Sequence, residues 1–209
     1  MRVCLAVFVT VAVCVPAHAQ SLYLEHGQRA AEAGAGWSVG PSSTGFELTA
    51  GASLDGRTEA GITFGRYTYT FDDGGKSRFS EYAPYVRVFP IKEQNGAPVS
   101  VSVNAQLFFD DYSADEDTGR YVQVGTTVYK ELKIAGALSL HPYVGFAFVA
   151  ESYAFGGGPA ERAQYLTREL GLHFTTDTSR AWFARLTLAE QSFRRETYRG
   201  ARLGVIRRF

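Results

Sequence analysis

Strict alternation of apolar and polar residues over long stretches is the feature that most narrows what this chain can fold into. Val99, Val101, Val103, Ala105, Leu107 and Phe109 alternate with Ser100, Ser102, Asn104 and Gln106. Phe46, Leu48, Ala50, Ala52 and Leu54 alternate with Glu47, Thr49, Gly51 and Ser53, and Leu140, Pro142, Val144, Phe146 and Phe148 with His141, Tyr143, Gly145 and Ala147. A period of two belongs to strands with one apolar and one polar face, whereas an amphipathic helix repeats at 3.6. From about residue 33 onward the period of two dominates.

Turn signals cut this region at Asp55-Gly56, Asp72-Asp73-Gly74-Gly75, Asn95-Gly96, Gly156–Pro159 and Asp177–Arg180. The pieces between predict strands near 33–40, 44–54, 58–70, 78–90, 98–111, 119–132, 138–155, 163–176, 181–193 and 197–209. Globular strands usually run about 5–6 residues, and a tilted transmembrane strand needs about 9–11. Most of these pieces meet the longer requirement. The expected fold is all-β: an antiparallel up-and-down transmembrane β-barrel of ten strands over 33–209, with eight strands the alternative. Residues 20–32 are expected to form an N-terminal periplasmic segment.

The start of the chain predicts export. Arg2 gives a short positive region, Val3–Val15 an uncharged apolar run that Pro16 ends, and Ala17-His18-Ala19 a small-residue cleavage signal. Residues 1–19 are therefore expected to be a cleaved signal peptide, too short in its apolar part to span a bilayer. Val11-Ala12-Val13-Cys14 is close to a lipobox, but Val13 stands where a small residue is needed. Cys4, Cys14 and Met1 all fall in the leader, so the exported chain would lack thiol chemistry and cysteine-ligated zinc. Losing Arg2 takes one from 21 basic residues against 21 acidic ones, a balance that gives no reason to expect nucleic acid as a partner.

Length, alternation and the C-terminus Ala201-Arg202-Leu203-Gly204-Val205-Ile206-Arg207-Arg208-Phe209 together resemble the small bacterial outer-membrane β-barrel proteins. The resemblance is one of pattern and covers nearly the whole exported chain. It implies that Leu203, Val205 and the terminal Phe209 form a C-terminal assembly signal read by the barrel-assembly machinery. Arg207 departs from it, standing where an apolar or aromatic residue is usual. The resemblance also implies outer-membrane localisation, with outer-membrane lipid and lipopolysaccharide as surroundings.

With Phe209 in the periplasm and an even strand number, the loops near 71–77, 112–118, 156–162 and 194–196 face outward. Tyr67, Tyr69, Phe71, Phe79, Phe109, Tyr112, Tyr121, Tyr153, Phe155, Tyr165, Phe193 and Tyr198 flank those loops, and Phe89, Trp182 and Phe209 fall at the opposite end. Such clustering predicts an aromatic girdle at each membrane interface. The polar face carries Glu47, Glu81, Arg87, Glu151, Glu169, Arg185 and Arg202. Turned inward, opposite signs would pair across the lumen, and Gly51, Gly61, Gly65, Gly125, Gly145, Gly171 and Gly204 would make room for them. A side-chain-filled or very narrow lumen is expected.

Catalytic and metal chemistry find little support. His141 and His173 fall near the periplasmic end, away from a surface hydrolase rim, and His26 lies in the N-terminal segment. They read as hydrogen-bonding lumen residues rather than a base. Asp110, Asp111, Asp115, Glu116 and Asp117 crowd one loop without the spacing of a calcium site, and read as a solvated acidic loop. Arg194, Arg195 and Arg199 cap the last hairpin, where they could meet lipopolysaccharide phosphates. No catalytic, cofactor or metal residues are assigned. The expected function is a non-enzymatic outer-membrane barrel with a structural or surface-interaction role, or a narrow channel. The alternative is a soluble periplasmic lipocalin-like barrel binding an apolar ligand; the strand pattern leaves solute and oligomeric state open.

Overall fold

The computed structural model describes residue 22 and residues 24–70, 74–112, 118–136, 138–154, 161–176, 181–193 and 196–209. Residues 1–19, the expected signal peptide, lie outside them, as do Phe71, Asp115, Glu116, Asp117, Phe155, Arg194, Arg195 and 177–180.

Eleven strands follow one another: β1 (Ala30–Val39), β2 (Ser43–Ser53), β3 (Thr58–Thr70), β4 (Lys76–Ile91), β5 (Ser100–Tyr112), β6 (Thr118–Tyr129), β7 (Leu132–Ala135), β8 (Leu138–Ala154), β9 (Glu161–Thr175), β10 (Trp182–Phe193) and β11 (Glu196–Arg208). Each pairs antiparallel with its sequence neighbour, except that β6 pairs directly with β8. The short β7 pairs only with the start of β8, below the point where β6 ends. β1 then pairs with β11, Glu32 opposite Arg208 and Val39 opposite Ala201, and the sheet closes. The result is a ten-strand up-and-down barrel with β7 as a short extension of one wall.

β1 starts at Ala30 rather than 33, which moves Glu32 out of the N-terminal segment and into the wall. Proline at position 84 lies inside β4 on the outer face, and the β4–β5 register shifts between Val88 and Ile91. Beyond that shift a 3-10 turn (Glu93–Asn95) ends in Gly96 at φ +86°, a left-handed conformation that glycine adopts without penalty.

The alternation sorts the side chains as a lipid-embedded barrel requires. Trp37, Phe46, Leu48, Leu107, Phe146, Leu170, Leu186, Leu203 and Val205 are all exposed on the outer face. Glu47, Glu59, Glu81, His141 and Thr187 are buried inside. A lipocalin-like barrel needs the apolar face inward, and the order here is the reverse.

The two ends differ. One, called here the terminus end, gathers residues 24–29, the turns at 54–57 and 92–99, the β6–β8 connection and Phe209. The opposite end carries the connections 40–42, 71–75, 113–117, 155–160 and 194–195, none of them as long as the terminus-end stretch 92–99. No helix among the described residues is long and apolar enough to cross a membrane.

Candidate functional site

The lumen is the site. Three layers of side chains divide it, and each layer follows from inward positions two residues apart on successive strands.

The middle layer is ionic and phenolic. Arg202 on β11 donates to Glu47 on β2, Nε to Oε1 at 3.0 Å. The Tyr67 hydroxyl donates to the same Glu47 oxygen, Oε1, at 2.8 Å and lies 3.5 Å from Glu81 Oε1. The Tyr121 hydroxyl donates to Glu81 Oε2 at 2.5 Å. Closer to the terminus end, Arg87 pairs with Glu59 at 3.3 Å and the Tyr85 hydroxyl donates to Glu32 at 3.2 Å. A cavity of about 150 Å³ lies between these groups, lined by Glu32, Tyr85, Arg87, Gln106, Glu169 and Arg185 among others.

Of the charges expected here, Glu47, Glu81, Arg87 and Arg202 meet partners across strands, while Glu169 and Arg185 line the cavity. Glu151 stands on β8 opposite Tyr121 of β6. Two further acids, Glu32 and Glu59, belong to the same constellation. Glu59 escaped notice for want of a long alternating stretch at the start of β3, yet it shares its face with Gly61 and Thr63.

Two tyrosines expected at the membrane interface face inward instead. Tyr67 and Tyr121 point into the lumen, as their hydroxyl bonds show, and Phe89 is fully buried there. Parity carried the signal: Tyr67 is two residues from Gly65 and four from Thr63, so it shares their inward face. The inward glycines serve these rings more than the charges. A Cβ at Gly45 or Gly65 would strike the Tyr67 ring, at Gly51 or Gly61 the Tyr85 ring, and at Gly171 the Tyr143 ring. At Gly145 the occupant is a charged side chain, Glu169, and at Gly119 it is Asp110.

The second layer closes the terminus end. Phe89, Tyr129, Tyr143, Phe183 and Ile206 form one buried cluster, and Leu22 of the N-terminal segment joins it. His141 and His173 face each other across β8 and β9 and are buried in the same layer. The His173 ring meets Tyr143 edge-on at 5.0 Å and His141 meets Phe183 at 6.3 Å. The Tyr143 hydroxyl and Thr187 Oγ1 hydrogen-bond across the lumen.

The N-terminal segment is latched below this layer. Lys92 is buried, and its Nζ donates to the carbonyls of Leu24 and Gly56, the latter at 2.8 Å. Burial, helped by the nearby Arg57, pulls the Lys92 amine down to about 8. Gly27 N–H donates to Asp55 O at 2.8 Å. The turn beneath is fixed by Asp55, whose Oδ1 accepts from Arg57 N–H and Thr58 N–H at 2.9 and 2.6 Å. Those two bonds hold its carboxyl below the usual range. His26 sits in this segment and is exposed.

The third layer is a vestibule of about 420 Å³ at the opposite end, lined by Tyr67, Tyr69, Phe79, Phe108, Tyr121 and Tyr165 with Glu81 and Glu169. It shares Tyr67, Glu81, Phe108, Gln123, Glu169 and Arg202 with the smaller cavity, so the middle layer is its floor. Among the described residues no three His, Cys, Asp or Glu side chains could hold a metal ion together.

At the C-terminus, Leu203 and Val205 face outward and are exposed, whereas Phe209 is buried. Its backbone pairs with Ala31 in both directions, at 2.9 and 3.2 Å. The Arg207 guanidinium lies 4.7 Å from the Phe209 ring and 5.1 Å from the Trp182 ring. This cation–π cover accounts for a charge at an outward position. Trp182 is the one expected terminus-end aromatic that is exposed.

No family model and no curated protein sequence matches the chain. Among solved structures, the β domain of the Bordetella autotransporter BrkA is 11% identical with a TM-score of 0.52, covering 88% of this chain and 100% of that one. Neisserial surface protein A is 10% identical with a TM-score of 0.40, covering 87% of this chain and 97% of its own. The N-terminal β-barrel domain of Pseudomonas aeruginosa OprF is 14% identical with a TM-score of 0.42, covering 88% and 99%. With its apolar face outward and its first strand paired to its last, this chain has the fold of an outer-membrane β-barrel, with ten wall strands.

Proposed function

We propose that this outer-membrane barrel is non-enzymatic and non-conducting: a filled cylinder whose terminus end is sealed in the periplasm, with a structural or surface-interaction role at the cell surface. The observation that carries this reading is the buried layer of Phe89, Tyr129, Tyr143, Phe183 and Ile206 with Leu22 seated among them. A close-packed layer dominated by rings, in which the Tyr143 hydroxyl is already bonded to Thr187, offers a permeating ion little to replace its hydration shell. The packing of both lumen histidines against aromatic rings, far from the vestibule, supports a role other than hydrolysis.

Lipid and lipopolysaccharide are its proposed surroundings. Exposed arginines on the outer face gather toward the vestibule end: Arg66, Arg78, Arg120, Arg162, Arg168 and Arg199. Guanidinium groups suit bidentate contact with phosphates. Delivery by the barrel-assembly machinery, through Leu203, Val205 and Phe209, belongs to the same reading.

The test is conductance in a planar bilayer, on protein whose faster migration unboiled than boiled certifies a closed barrel. Silent insertion is the expected result. Stable open steps at neutral pH would overturn the sealed lumen, and protein recovered in the soluble periplasm without a mobility shift would overturn the membrane role.

A further inference from the structure

We propose that the blind vestibule is a binding site for a small organic cation, an alkyl- or quaternary ammonium, with Glu81 as its counter-ion. The proposal rests on the sealed lumen, since a vestibule open below would be a passage rather than a pocket.

Two pairs of stacked rings flank Glu81. Tyr67 and Phe79 stack with centroids 5.1 Å apart, and Phe108 and Tyr121 with centroids 4.0 Å apart. Tyr121 donates its hydroxyl to Glu81 Oε2, while the Tyr67 hydroxyl, whose proton goes to Glu47, lies 3.5 Å from Glu81 Oε1. The carboxylate is thereby fixed between two aromatic walls, in the part of the lumen that floors the vestibule. A carboxylate offers about four lone-pair positions, so the one phenol that donates to it leaves it acceptor capacity.

The charges around the vestibule decide the sign of its ligand. Arg202 is held by Glu47 at 3.0 Å. On the outer face bordering the cavity, Glu190 takes Arg199 at 3.0 Å and Arg168 at 3.9 Å. Every arginine lining the cavity therefore faces a carboxylate already. Glu81 and Glu169 have no ion-pair partner among the described residues, and the cross-strand neighbour of Glu81 is another acid, Asp110. An anion entering would have to break an existing pair. A cation would meet a carboxylate that makes no direct ion pair and up to six ring systems, the combination that recognises ammonium groups. The volume of about 420 Å³ falls within the range of small-molecule pockets and exceeds what a bare metal ion needs.

The test uses the full exported chain refolded in detergent micelles, with a mobility shift on heating as the check of folding. Choline is titrated by calorimetry beside 3,3-dimethyl-1-butanol, its uncharged isostere, and inorganic phosphate. Saturable choline binding at least tenfold tighter than that of the isostere is expected. Glu81→Gln is expected to weaken choline about tenfold and leave the isostere unchanged. Phe79→Leu, which alters a wall without touching the carboxylate, should weaken choline about fivefold. Equal binding of choline and isostere, binding of phosphate in preference, or no choline binding overturns the proposal on the wild-type protein alone, whatever the variants do. Conductance on the same preparation separates the two readings: open steps refute the seal, and absent choline binding in a silent barrel refutes the site.

Discussion

Arg202 and Glu47 show how the interior sets its own stability at the level of single residues. The Glu47 side chain is nearly all buried and takes the Arg202 guanidinium at 3.0 Å, with the Tyr67 hydroxyl as a further donor. Removing one member of such a pair leaves an uncompensated charge, a loss of about 3–5 kcal/mol, whereas an apolar replacement of both is often neutral. Arg202→Leu is therefore expected to lower the urea midpoint of the refolded barrel strongly, and Arg202→Leu with Glu47→Leu to recover most of the loss. A double variant as unstable as the single one would show that the pair has no such coupling. The charges on the polar face were legible in sequence because alternation separates faces whatever the residue type. The tyrosines were not: an aromatic ring is at home at a membrane interface, in a strand and in a core alike, so residue type misled where parity would have told.

Among the elements, the strands were the most legible part of the chain. Turns rich in Asp, Asn and Gly bounded β3 at Thr58–Thr70 as expected, and most other boundaries within about three residues. The N-terminal segment was opaque, because what orders it is tertiary: Leu22 fits a layer built from β4, β6, β8, β10 and β11, and Lys92 comes from the far side of β4. That lysine has a pH signature. Its folded-state value of about 8 lies below its ordinary 10.5, so between these limits the undocked segment binds more protons. Docking should strengthen as pH rises from about 8 to 10.5 and be insensitive to this group below 8. A spin label at the exposed Arg29, introduced as Arg29→Cys, should become less mobile over that window. In Lys92→Met the label should be mobile throughout; an unchanged profile in that variant would show that another group carries the titration.

The molecule as a whole is an inverted globule, polar within and apolar without. Leu203, Leu186 and Leu172 form a row across β11, β10 and β9 on the outer face. An arginine at Leu186 is expected to cost about 2–4 kcal/mol for refolding into lipid vesicles, the range for a lipid-facing position near the bilayer centre. Glutamine at Ala189, an inward position nearer the vestibule, should cost much less. Equal costs at both positions would mean that the outer face does not meet hydrocarbon. Fold class, strand number and the sidedness of the wall were all written in a local rule repeated ten times. The vestibule was not, because its walls come from strands far apart in the chain and only closure brings them together.

That closure has a temporal consequence. β1 is the first strand made and β11 the last, yet each is the other's neighbour, Glu32 against Arg208 and Val39 against Ala201. Until β1 and β11 meet, both free edges stay bare, and a bare edge is a template for adhesion to any other chain. Loop entropy sets the same order, since the longest-range pairing is the last to repay its cost. Closure of the cylinder is therefore expected as one late step, after the strands between have paired.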